Sequence, residues 1–218
     1  LDGEHGLPAS VRRDAGAHDE RFHDVVPVGE FVAVDGEDAV ADLEAGLGIL
    51  LSSPYSVQEF RQRVGQYDRW MQTLLQRDTD TGLYLLFQLA TQSPVGYSAS
   101  HALVCAVLAH LVGAELKIDP TERNAMVAAA LTMNIGMTAL QDELASQLEK
   151  PSPEQQAGIR GHMALGRKML VELGIADPLW LDIVAHHHDD FAMTSPWRRW
   201  RRPGGWRASC APSTATAR

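Results

Sequence analysis

Cysteine is nearly missing from the chain. Cys105 and Cys210 are the only two in 218 residues, one in an apolar helical run and one in an irregular tail, so a disulfide framework is excluded. Cys105 reads as a buried, reduced thiol. No apolar stretch approaches a membrane span and no signal peptide opens the chain, which makes the cytoplasm the expected location. The chain begins at Leu1 rather than Met, as a fragment edge would. Strand-like alternation is missing after residue 40, and no internal repeat is present.

Acid is missing from one end only. Beyond Pro196 there are six Arg and no Asp or Glu. Removing those six from the 19 basic residues leaves 13 against all 28 acids, a net −15 before the tail and −9 for the whole chain. That balance speaks against nucleic acid and anionic membrane as partners. Apolar content of 45% and charged content of 22% suit a chain that buries a core.

Residues 1 to about 24 are rich in Asp, Glu, His, Gly and Arg without periodicity, as a loop or disordered leader is. "VVPVGEFVAV" predicts a short extended piece. "EDAVADLEAGLGILL" predicts a helix ending before Ser52-Ser53-Pro54. We therefore divide the chain into a leader (1–54) with one helix, a helical domain (55–195) and an Arg/Trp-rich tail (196–218). Ser56-x-x-Glu59 reads as a capping box opening a helix with Val57, Phe60, Val64, Met71, Leu74 and Leu75 on one stripe. "TGLYLLFQLATQ" is almost wholly apolar and is expected at the centre. Ser98 or Ser100 begins the next helix, through His101, Cys105, Leu108 and Val112. Asp119-Pro120, Ser152-Pro153-x-Gln155 and Asp177-Pro178 each open another, with Pro where a missing N–H costs nothing. An apolar helix ends at Leu131. The expected fold class is all-α, an HD-domain-like helical bundle.

Three of the five Trp lie in the tail, without amphipathic period. A basic, aromatic arm for nucleic acid is one reading. A reading-frame shift is the favoured one. Trp197, Trp200, Trp206, Ser209, Cys210 and Ser213, spaced 3, 6, 3, 1 and 3, would become apolar in the shifted frame. That spacing is a helical stripe.

Nine histidines carry the remaining signal. His5, His18 and His23 lie in the polar leader and read as solvated. His110 falls nine residues after His101, about 180° around the helix, and faces elsewhere. His101, His162 and the run His186–His188 sit near helix ends or among small residues, where imidazoles from separate helices can meet on a metal.

From Tyr97 to Asp190 the chain resembles an HD-GYP domain, the branch of the HD metal-dependent phosphohydrolases that cleaves cyclic di-GMP in bacteria. His101 stands at the family's first His. "LTMNIGM" lies on its His-Asp-Ile-Gly-Lys stretch, "ALQDEL" on its Pro-Asp stretch and "SPEQQ" on its acidic one. "GHMALG" supplies His162 and Gly166. "VAHHHDDF" covers its His pair, with His187 and His188 matched, Asp189 at the Glu position, and His186-His187 as the alternative register. The chain departs from the family at Met133 and Asn134, which replace the His-Asp pair, and at Met137, which replaces the Lys. No Gly-Tyr-Pro signature follows "HHHDDF".

The resemblance implies a bimetal site in which the lost Asp bridged both ions. Thioether and amide are poor substitutes for imidazole and carboxylate. Two dications without a bridging anion repel, so a bimetal centre is not expected. The implied remnant is His101, His162, His187 and His188, holding no ion or one divalent Fe, Mn or Zn. Three readings follow. The first is a non-catalytic signalling module that binds a protein partner and has cyclic di-GMP as a candidate ligand. The second is a phosphohydrolase with a reduced site, using Asp142, Asp189 or Asp190 as base. The third is a scaffold that binds protein partners alone. In all three, Met133 and Met137 also serve as apolar packing at a helix end.

Overall fold

Three Asp-Pro or Ser-Pro pairs start helices as their local chemistry dictates. Asp119 accepts from the Thr121 N–H. Ser152 and Gln155 form a complete capping box, satisfying two orphan donors reciprocally. Asp177 accepts from the N–H groups of Leu179 and Trp180. A computed structural model describes residues 36–92 and 95–189, all in the second of two compact units, Asp35–Arg218; the first, Leu1–Val34, lies outside them. The extended piece expected in "VVPVGEFVAV", the leader histidines, Cys210 and the whole tail also lie outside the described residues.

The described residues are all-α, with no strand. In chain order the helices are α1 (Gly36–Ser52), α2 (Phe60–Arg77), α3 (Thr79–Gln92), α4 (Tyr97–Glu115), α5 (Pro120–Thr132), α6 (Thr138–Ser146), α7 (Pro153–Glu172) and α8 (Pro178–His186). Helix α4 packs against α1, α3, α5 and α6, while α8 packs against both α5 and α7. Leu43, Leu47 and Leu50 of α1, Leu103 of α4, Leu131 of α5 and Leu170 of α7 are almost wholly buried in one core.

Four expectations are corrected. Ser56 does not cap α2. Pro54 starts a short 3-10 turn through Ser56, whose N–H bonds the Ser53 carbonyl, and α2 opens only after Glu59, at φ 53. The stripe itself survives, with Phe60, Val64, Met71 and Leu75 buried. Neither Ser98 nor Ser100 begins α4. The helix starts at Tyr97, after Gly96 at φ +140, and the first-turn N–H of buried Ser98 donates to the Asp142 carboxylate at 2.7 Å. A side chain on Gly96 would meet that carboxylate at 3.1 Å, so this turn requires glycine. Helix α3 is not central, for Tyr84 and Phe87 are 64% and 51% exposed.

The last correction concerns α4, which by length and composition is apolar enough to cross a membrane, with mean hydropathy 1.4. Packing accounts for part of that apolarity: Ala102, Leu103, Ala106 and Val107 are buried against neighbouring helices, while Leu108 and Val112 are exposed.

Candidate metal centre

His162 lies near the middle of α7 and is 1% exposed. Its Nδ1 bonds the Ile159 carbonyl, three residues back on the same helix. His187 follows the last residue of α8, and its Nδ1 bonds the Val184 carbonyl at 3.0 Å. A carbonyl oxygen only accepts, so both Nδ1 atoms must carry the proton and donate. Each neutral ring is then left with a lone pair on Nε2. Those two Nε2 atoms face each other at 3.1 Å.

His188 completes the group. Its ring centroid is 5.2 Å from that of His162 and 4.4 Å from that of His187, and one nitrogen from each of the three lies within 4.8 Å of the others. The three run from buried His162 through half-buried His187 to exposed His188. His186 turns away: its Nδ1 bonds the Asp182 carbonyl at 2.8 Å and lies 3.2 Å from the Asp182 carboxylate. The alternative register, His186 with His187, therefore does not describe the cluster.

His101 is near the three but outside the group. Tyr97 stacks on its ring at 5.3 Å, and Cys105 Sγ lies 3.7 Å from its Nε2. Burial lowers its pKa, with the His188 charge adding to the effect. Cys105 is half-buried and free, and burial raises its thiol pKa. His110 faces elsewhere, towards the charges of Arg123 and Asp68.

No Asp or Glu joins the group among the described residues. Asp142 is the α4 cap. Asp189 is exposed and closes the end of α8 through its N–H to the His186 carbonyl. Asp190 lies outside the described residues.

The chain from Met133 to Met137 links α5 to α6. Met133 packs against the core, and Met137 is half-buried with its N–H on the Asn134 carbonyl. The Asn134 Oδ1 is buried without a hydrogen-bond partner. It borders a cavity of about 10 Å³ shared with Ser98, Thr138 and Gln141, room for one water and for no nucleotide. Gly136, which sequence reasoning passed over, touches α7 directly. A Cβ there would stand 2.5 Å from the His162 carbonyl oxygen and 2.8 Å from the Gly166 nitrogen. The paired glycines, Gly136 and Gly166, are the signal that could have revealed this contact.

Burial pushes the His187 pKa down to about 4; the bond to Val184 opposes this, and the neighbouring imidazoles reinforce it. His162 is lowered too, first by burial. In the unfolded chain His187 returns to its ordinary value of 6.5. Between these values the unfolded state binds the proton that the folded state refuses, so stability rises with pH. The His187 contribution is fully present above 6.5 and lost progressively down to about 4. Denaturant midpoints measured from pH 7 to 4.5 are expected to fall, and less so in His187→Gln. Equal slopes for the two proteins would refute the buried, neutral His187.

No family model, curated protein or solved structure matches the chain.

Proposed function

We propose that the chain is a degenerate, non-catalytic HD-GYP-like domain that serves bacterial signalling as a cytoplasmic regulatory or protein-interaction module. The carrying observation is a three-imidazole cluster that no carboxylate joins among the described residues. Three neutral donors suit a single transition ion. They supply no bridging anion to hold two dications together. Met133, Asn134 and Met137, at the positions where the resembled family has His, Asp and Lys, add neither anion nor cation. Phosphoryl transfer depends on metal and positive charge to stabilise the developing negative charge, and both are reduced here together.

The test is hydrolysis of cyclic di-GMP with excess Mn²⁺ or Fe²⁺, followed by product chromatography. No turnover above a protein-free control is expected. A calorimetric titration with cyclic di-GMP then separates a nucleotide-responsive module from one that binds protein alone.

The three-imidazole group also supports a second reading, a phosphohydrolase with one ion. Hydrolysis that disappears in His162→Ala would replace the first reading with this one.

A further inference from the structure

Helix α4 carries a second apolar line besides the one it buries in the core. Leu108, Val112 and, just beyond the helix end, Leu116 are 44%, 53% and 53% exposed. Half-buried Cys105 and His101 continue the line towards the start of the helix. Steps of three and four residues hold these side chains on one side, the spacing of a seam that receives a partner. From Tyr97 to Leu116 there is no Lys or Arg, and the one acid is Glu115. Contiguous exposed apolar surface of this kind marks an interaction site.

The chain itself offers a cover. It leaves α8 at His188, whose charge acts on His101 at one end of the line, and residues 190–218 follow. From His101 to Leu116 the line runs about 22 Å, at 1.5 Å per residue. The stretch from His188 to Trp197 can span up to about 30 Å, and that to Trp206 about twice as far. From Phe191 onwards there are Trp197, Trp200, Trp206, six Arg and no acid, against a net −15 over residues 1–196.

Opposite charge draws such a segment to the domain, and aromatic rings supply the large apolar area that the line can bury. A second copy is disfavoured as the occupant. Two domains of like charge repel, whereas a tethered segment acts at about millimolar effective concentration without any assembly. Trp197, Trp200 and Trp206 are apolar positions in either reading frame, so the frame does not alter the choice.

We propose that residues 191–206 fold back along α4 and cover the line from His101 to Leu116 with their aromatic side chains. The contact is independent of whether the domain is catalytic. A protein partner that uses this face of α4 must displace the tail.

The test uses the full chain and reads each side of the contact from the other. Leu108→Gln with Val112→Gln removes the seat, and because both side chains are exposed, circular dichroism should report an intact fold. Trypsin cleavage at the arginines from 198 to 207, followed by mass spectrometry, should then be at least about fivefold faster than in wild type, since cleavage follows the open population. Conversely, Trp197→Ser with Trp200→Ser and Trp206→Ser removes the cover. Alkylation of Cys105 by N-ethylmaleimide should rise by at least about threefold in that variant. Light scattering on a sizing column distinguishes the tail from a second copy.

Equal tail cleavage in wild type and a folded seam variant overturns the proposal. So does a Cys105 that reacts at the same rate with and without the indoles. A wild-type dimer that separates in the seam variant overturns it too, by making a second copy the occupant.

Discussion

Gly136→Ala is expected to destabilise the protein by about 1–3 kcal/mol, as overpacking against immovable atoms does. The new methyl would lie 2.5 Å from the His162 carbonyl oxygen and 2.8 Å from the Gly166 nitrogen. Both are backbone atoms of α7, so no rotamer change relieves the clash. Helix α7 must move away from the turn after α5. That displaces His162 relative to His187 and disturbs the three-imidazole group.

Gly161→Ala is the natural control. It lies one residue before His162, in the same helix, with nothing within 4 Å of an added Cβ. There the substitution should stabilise by about 0.4–1 kcal/mol by restricting the unfolded chain. Urea unfolding of both variants checks the opposite signs. Equal effects would mean that the contact between Gly136 and α7 is not as tight as described.

Trp180→Ala should cost about 3–5 kcal/mol, the range for emptying a large buried aromatic site. Trp180 is 5% exposed, and its indole N–H donates to Thr132 Oγ1 at 2.8 Å. Thr132 in turn donates to the Ala128 carbonyl. This chain ties α8, which leads into His187 and His188, to the end of α5. Stability of a domain this size is commonly about 5–15 kcal/mol, so the alanine variant loses much of the total.

Thr132→Val isolates the polar part. It keeps the shape and strands a buried indole N–H, at a cost of about 1–3 kcal/mol. Thermal melts of the two variants test the coupling. If Trp180→Ala melts within a degree or two of wild type, α8 is not anchored through this residue.

Both predictions turn on contacts that no local pattern announces. The helices were legible because their signals act within a few residues. Asp119, Ser152 and Asp177 satisfy N–H groups two or three positions ahead, and Pro at the first helical position reinforces each start. Ser56 shows where that logic fails. Its capping pattern is intact in the sequence, yet Pro54 draws the same residue into a 3-10 turn. Two local signals competed, and packing of Phe60 and Val64 against the core is compatible with the later start.

Apolar content misled in a similar way at α3. Its run of apolar residues suggests a central place, whereas Tyr84 and Phe87 face outwards. How deep a helix sits depends on its neighbours, and α4 packs against four of them.

The amino-acid order by itself determined the all-α class, the starts of α5, α7 and α8, and the identity of the histidines worth following. Tertiary structure alone decided that His187 and His188, not His186, meet His162 across 25 residues of chain. It also decided that His101 stands apart and that Gly136 seats the turn against α7. Capping is a matter of hydrogen bonds closed within one turn, which the chain writes in consecutive letters. The meeting of side chains from different helices depends on how each helix is rotated and how closely it packs, and that is set by the whole core at once.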